Sequence, residues 1–209
     1  MQNIWITSDT HYNHKNLCRS VTDWKLPDGS IPIHRTRDFP SLEKMDSTIV
    51  NNINAVVGQD DLLIHLGDWS FGGFDKIYVF WERLICKNIY LILGNHDHHI
   101  KKDKNGIKQL FTQVVRSNDE YKIDKYQFHL SHYPIMSWKN IGRGTIHLHG
   151  HCHFSGDNRF GKGKMMDVGI DGHPEFRPYN LLTEIIPMME KRPICSQYEN
   201  GLDHHMDDI

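Results

Sequence analysis

An α/β fold of the α+β kind is what this chain predicts, on three observations. Strand-length apolar runs alternate with amphipathic helical patterns through the first half, and short strands separated by turn residues fill the second. At 209 residues the chain is also long enough to bury one large core without disulfides. The sequence turns polar and aperiodic after Pro187, so the expected organisation is a domain over residues 1–187 and a polar tail over 188–209.

The first strand, residues 4–7, runs into Ser8-Asp9-Thr10-His11-Tyr12-Asn13-His14. On extended chain, side chains two apart share a side, so Asp9 and His11 can reach one cation. Residues 20–40 carry Pro27, Gly29, Pro32 and Pro40 without a sustained period and read as a long surface excursion. Ser41 is placed as an N-cap with Glu43 in the first turn. Met45, Ile49, Ile53 and Val56 follow at helical spacing, and Gly58 is the expected C-terminal cap. Residues 62–66 form a buried strand ending in Gly67-Asp68.

A second amphipathic helix is expected over 74–85, with Phe74, Ile77, Tyr78, Trp81, Leu84 and Ile85 on its apolar face. The strand at 89–93 then meets Gly94, where the chain can turn sharply, so Asn95, His96 and Asp97 emerge at a strand's carboxyl end, where open α/β sheets bind ligands. Asn95 offers a neutral oxygen, His96 an imidazole able to give or take a proton, and Asp97 a carboxylate able to orient an imidazole. Residues 101–104 read as solvated surface and 107–111 as a short helix.

From Val114 the expected strands are 114–115, 120–123, 126–130, 145–149, 165–168 and 181–186, mostly antiparallel. His132 follows one of them directly. Histidine occupies every second position from His147 to His153. His147 and His149 are read as buried, hydrogen-bonded strand residues, whereas His151 and His153, beyond Gly150, are read as ligands. Cys152, between that pair, points elsewhere on an extended chain.

Composition narrows the function classes. A net charge of −2 with mixed signs supplies no polyanion-binding stripe, so charge does not indicate nucleic acid as a partner. Four cysteines without a C-x-x-C pair favour a reducing compartment. With no basic leader and no run of transmembrane length, a cytoplasmic location with no membrane association is the expectation. Histidine is the unusual residue, at 16 copies.

In their order and context, Asp9-x-His11, Gly67-Asp68, Gly94-Asn95-His96-Asp97, His132 and Gly150-His151-x-His153 resemble the calcineurin-like metallophosphoesterase superfamily, and among its members the small bacterial and phage phosphoesterases. The resemblance implies two packed mixed β-sheets flanked by helices in a four-layer fold. It also implies a two-metal site in which Asp9, His11, Asp68 and His153 hold one ion while Asp68, Asn95, His132 and His151 hold the other. His96 then matches the family's catalytic histidine, with Asp97 as its orienting partner. The activity implied is hydrolysis of a phosphomonoester or phosphodiester by a metal-bridging hydroxide.

Those residue types suit that chemistry, since two cations roughly 3.5 to 4 Å apart can activate a hydroxide and clamp phosphoryl oxygens during in-line attack. Imidazole, carboxylate and amide ligands without thiolate admit Mn, Fe, Zn, Ni or Co, and Mn is the expected activating ion. The expected partner is a small phosphorylated substrate. With no cap domain after the motifs, specificity falls to the loops at 12–40, 69–75, 133–144 and 154–164. Asn13, His14, Arg37, Arg143 and Arg159 are the candidate phosphate contacts. A nuclease or cyclic-nucleotide phosphodiesterase is the alternative, and a non-catalytic scaffold on the same fold is the rival class.

Overall fold

The computed structural model describes residues 2–195. Strands β1 (Ile4–Thr7), β2 (Leu62–His65), β3 (Ile89–Ile92) and β4 (Gln113–Val115) run parallel in the order β4-β3-β2-β1, and β9 (Tyr179–Asn180) pairs antiparallel with β1. A second sheet has the order β5-β6-β7-β8, from β5 (Asn118–Ile123), β6 (Tyr126–Ser131), β7 (Ile146–His149) and β8 (Met165–Asp167). Both sheets are mixed. The expectation of a mostly antiparallel second half is corrected here, because in the second sheet only β5 and β6 pair antiparallel while β6–β7 and β7–β8 are parallel. The long connections at 132–145 and 150–164 allow the chain to return in the same direction, which a tight hairpin cannot. Val114 and Val115 belong to the first sheet, opposite Leu91 and Ile92.

Alternation along the strands builds the layers. Ile4, Ile6, Ile64, Leu66, Tyr90 and Ile92 of the first sheet meet Phe128, Leu130, Ile146, Leu148 and Met166 of the second in one buried core. On the first sheet's other face, Leu63, Ile89 and Leu91 are covered by helices α1 (Leu42–Val56) and α2 (Phe74–Arg83) through Met45, Ile49, Ile53, Ile77 and Phe80. The second sheet's outer face carries His129, His147 and His149, with Trp138 of the 132–145 connection 5.0 Å from the His147 ring. This is the architecture of two packed mixed sheets flanked by helices. No helix among the described residues is long and apolar enough to cross a membrane.

Local chemistry accounts for most boundaries. Ser41 caps α1 by accepting the Lys44 N–H at 3.2 Å. Gly58 is not a left-handed cap: Val57 is already extended, and the Gly58 N–H donates to the Asp61 carboxylate at 2.9 Å. Of the stripe expected on α2, Ile77 and Leu84 are buried and Trp81 packs against the core, joined there by Phe80, whereas Phe74, Tyr78 and Ile85 are exposed. Residues 181–185 are a π-helical turn rather than a strand, because Asn180 accepts the N–H groups of Leu182 and Thr183 and Pro187 sits in the first turn of α4 (Ile186–Glu190). The boundary expected after residue 187 falls inside α4, whose Met189 is fully buried. Residues 196–209 of the expected tail lie outside the described residues.

Asp61 fastens the start of β1. Its carboxylate accepts from the N–H and side-chain amide of Asn3, the Trp5 indole and the Gly58 N–H. Burial would raise this carboxyl, but those hydrogen bonds bring it below its usual range. Asp61→Ala is therefore expected to cost about 3 kcal/mol at neutral pH, since hydrogen bonds to a charged group contribute roughly 1.5–3 kcal/mol each and are not additive. A depressed carboxyl stabilises the fold above its unfolded pKa and loses that contribution as pH falls through its folded value, so the gap should narrow below about pH 4. Urea unfolding of both proteins at pH 7 and pH 3 checks this. A gap of the same size at both pH values would contradict the account.

Candidate metal centre

Because β1, β2, β3, β6 and β7 all end on the same side, the loops that follow them converge there. Asp9 and His11 follow β1, Asp68 follows β2, Asn95 and His96 follow β3, His132 follows β6, and His151 and His153 follow β7. The chain is not extended at these residues. Asp9, His11, Asp68, His151 and His153 all have φ between 48° and 73°. This left-handed conformation is uncommon outside glycine and costs of order 1–3 kcal/mol per residue. Asp9 and His11 therefore share a side through two left-handed turns rather than through strand alternation.

Glycine is required where the loops touch. A Cβ at Gly94 would overlap the Asp68 carboxylate and amide, and one at Gly150 would overlap Ser8 and Asp9.

Two groups of ligand atoms result. In the first, Asp9 Oδ1 lies 3.9 Å from both His11 Nε2 and His153 Nε2. In the second, His132 Nε2 is 2.9 Å and His151 Nδ1 3.0 Å from Asn95 Oδ1, with Asp68 beside them. Asp68 Oδ2 lies between the groups, 3.4 Å from His11 Nε2 and 3.4 Å from His132 Nε2.

The donor set fits cations. Asp9 is fully buried, its Oδ1 has no hydrogen-bond partner, and burial pushes its carboxyl up to about 7. An unpartnered buried oxygen facing two imidazoles is a costly arrangement unless a positive ion completes it. At His132, burial is outweighed by the bond to Asp68 and the nearby Asp9, which raise the ring to about 9. The His132 Nδ1–H donates to the Leu66 carbonyl at 2.8 Å, which leaves Nε2 to face the centre.

A second set of contacts positions these groups. The His153 Nδ1–H donates to Asp171 Oδ2 at 2.7 Å, and Arg37 grips the same carboxylate with Nε and Nη2, each at 2.8 Å. Arg37 also donates to the carbonyls of Asp9 and Thr10. Burial would raise Asp171, but Arg37 and His153 hold it well below the usual carboxylate range. Arg37 is thus a buried clamp on the β1 loop, and it also borders the cleft over the ligand groups. Asp171 was not singled out from sequence, and its only signal is a carboxylate in the glycine-flanked turn after a strand.

Asp97 also differs from expectation. It does not meet the His96 ring; its carboxylate accepts the N–H groups of Asp68, Trp69 and Gly94 at 2.8, 2.9 and 2.8 Å. It holds the loops that carry Asp68 and Asn95 rather than orienting an imidazole. His96 donates its N–H to Asp68 Oδ1 at 2.8 Å, and its ring stands 5.2 Å from that of His11.

A cleft of about 710 Å³ opens over both groups, lined by His14, Trp24, His34, Arg35, His96 and Ser155 among others. Most of its far wall comes from the 12–40 loop. His14 stacks on Phe71 at 4.0 Å and borders the cleft; burial, with His96 and Arg37 nearby, lowers it to about 4. Asn13 is turned away, its side-chain amide donating to the Phe71 carbonyl. Arg143 borders other surface depressions, beside Trp138 and Lys164, and Arg159 folds back on Gly156 and Phe160, so neither joins the cleft. An arginine in a loop carries no sequence mark of which surface it will face.

Paired imidazole and carboxylate groups at the carboxyl ends of strands in a two-sheet sandwich define a metal-binding α/β protein. The chain belongs to the calcineurin-like phosphoesterases, whose family model matches residues 2–184. It is 30% identical over 155 residues to the uncharacterized protein MJ1445 of Methanocaldococcus jannaschii, covering 73% of this chain and 70% of that one. It is 27% identical over 235 residues to the Gene 66 protein of Mycobacterium phage D29, covering 97% of this chain and 100% of that protein. Among solved structures it is similar to the AQ665 protein of unknown function from Aquifex aeolicus, with a TM-score of 0.61, 21% identity, and coverage of 86% of this chain and 96% of that one.

Proposed function

We propose that this protein is a dinuclear metal-dependent phosphoesterase acting on a small phosphorylated substrate. The observation that carries the reading is the position of Asp68 Oδ2, 3.4 Å from an imidazole nitrogen of each ligand group, as a carboxylate shared by two cations would be. Asp9, His11, Asp68 and His153 would hold one ion, and Asp68, Asn95, His132 and His151 the other. Manganese is the favoured metal. Two such ions supply an activated water and polarise the phosphoryl oxygens.

The chain's own residues do the rest. Asp97 and Asp171 hold the ligand loops in place. His96, at the cleft and beside Asp68, protonates the leaving oxygen. The 12–40 loop walls the cleft and keeps the substrate's organic group over the centre. A cytoplasmic setting accords with Cys18, Cys86, Cys152 and Cys195 all being free thiols.

Chelation is expected to abolish hydrolysis, and Mn²⁺ to restore it, in a panel of an aryl phosphate, an aryl phosphodiester, cyclic nucleotides, and single- and double-stranded nucleic acid. Full turnover by metal-stripped protein would sink the dinuclear reading. Silence of the metal-loaded protein across the panel would favour the scaffold.

A further inference from the structure

We propose that His149, Cys152 and Asp167 form a third cation site, separate from the two ligand groups above, that takes a single thiophilic divalent ion such as zinc. His149 and Asp167 are cross-strand partners on β7 and β8, and their side chains leave the sheet on its outer face. They are 2% and 0% exposed. Cys152 sits between His151 and His153 in sequence but belongs to a different group, its Sγ and ligand atoms of His149 and Asp167 all lying within 4.8 Å of one another.

The hydrogen bonds leave each of the three with a free donor atom or lone pair. His149 Nδ1 lies 2.9 Å from the Gly150 carbonyl, which only an N–H can satisfy, so the lone pair is on Nε2. That nitrogen makes no hydrogen bond among the described residues. Its strand neighbour His147 differs, with Nδ1 bonded to the His129 carbonyl and Nε2 to the Ile135 N–H. Asp167 accepts one N–H on each oxygen, from Gly169 at 2.7 Å and Phe154 at 3.2 Å, and each oxygen keeps a second lone pair. Cys152 Sγ makes no hydrogen bond among the described residues. An imidazole whose other nitrogen is tied to a carbonyl is the usual state of a metal-bound histidine.

The ligand chemistry distinguishes this site from its neighbours. One thiolate, one imidazole and one carboxylate suit zinc and disfavour manganese or magnesium, which prefer oxygen-rich shells. Cys152 borders the cleft, so a water can complete a tetrahedron. An ion here would tie β7, the 150–153 turn and β8 together, bracing the turn that presents His151 and His153. The site stands independently of the phosphoesterase reading, because its ligands are not shared with the dinuclear centre.

Titration of the metal-stripped full chain with Co²⁺ tests the proposal. The wild type and a Cys195→Ala control are expected to gain a thiolate-to-cobalt charge-transfer band, and Cys152→Ala is expected to lack it. Native mass spectrometry after zinc loading should count one zinc fewer per chain in Cys152→Ala and Asp167→Asn than in the wild type. If the buried Asp167→Asn change unfolds the protein, Cys152→Ala decides alone. A retained band, or an equal zinc count in Cys152→Ala, overturns the site whatever the enzyme assays give.

Discussion

Asp68→Ala is expected to empty both metal positions and to lower phosphoester hydrolysis by on the order of 10³-fold or more, beyond the roughly 10- to 100-fold that loss of an outer-shell partner costs. The expectation follows from the place of its carboxylate between His11 and His132 and from the N–H of His96 bound to its other oxygen. One substitution removes the carboxylate shared by both groups and releases the loop bearing His96. Metal analysis together with turnover at saturating Mn²⁺ measures both effects. Two ions per chain in the folded variant would contradict a bridging role, whatever the activity.

For His96→Ala, both ions and the fold should be retained while turnover on a poor leaving group falls by about 10² to 10⁴, the usual worth of a general acid. The ring lies within 5.6 Å of those of His11, His14 and Phe71, so it overhangs the ligands without being placed among them. With a nitrophenolate leaving group, which hardly needs a proton, the loss should shrink. Equal losses across a leaving-group series would make His96 a phosphate contact. Loss of an ion would move it into the metal's own shell.

The centre was legible in the sequence because its residues are short-range signals, each a polar cluster at the end of an apolar run. Asp9 to His153 stand together as that pattern implied, and His147 and His149 are the buried strand histidines expected of them. What failed depended on distant partners. Arg37 read only as a candidate phosphate contact, because its carboxylate partner Asp171 is 134 positions away. Asp97 read as His96's neighbour because it adjoins it in sequence, whereas its acceptors are satisfied by backbone at positions 68, 69 and 94. Strand direction failed in the second half for a like reason: a short apolar run does not say which strand lies beside it. The 181–185 segment carries strand-like residues, and the Asn180 cap overrode that propensity.

The left-handed backbone at Asp9, His11, Asp68, His151 and His153 has an evolutionary corollary. Glycine would relax each of these positions, and each such replacement deletes a metal donor at the same time. Selection for stability alone therefore pulls this chain toward an inert descendant that keeps the sandwich and loses the chemistry. Drift of these aspartates and histidines to glycine in a relative would mark the point at which demand for the ions ended.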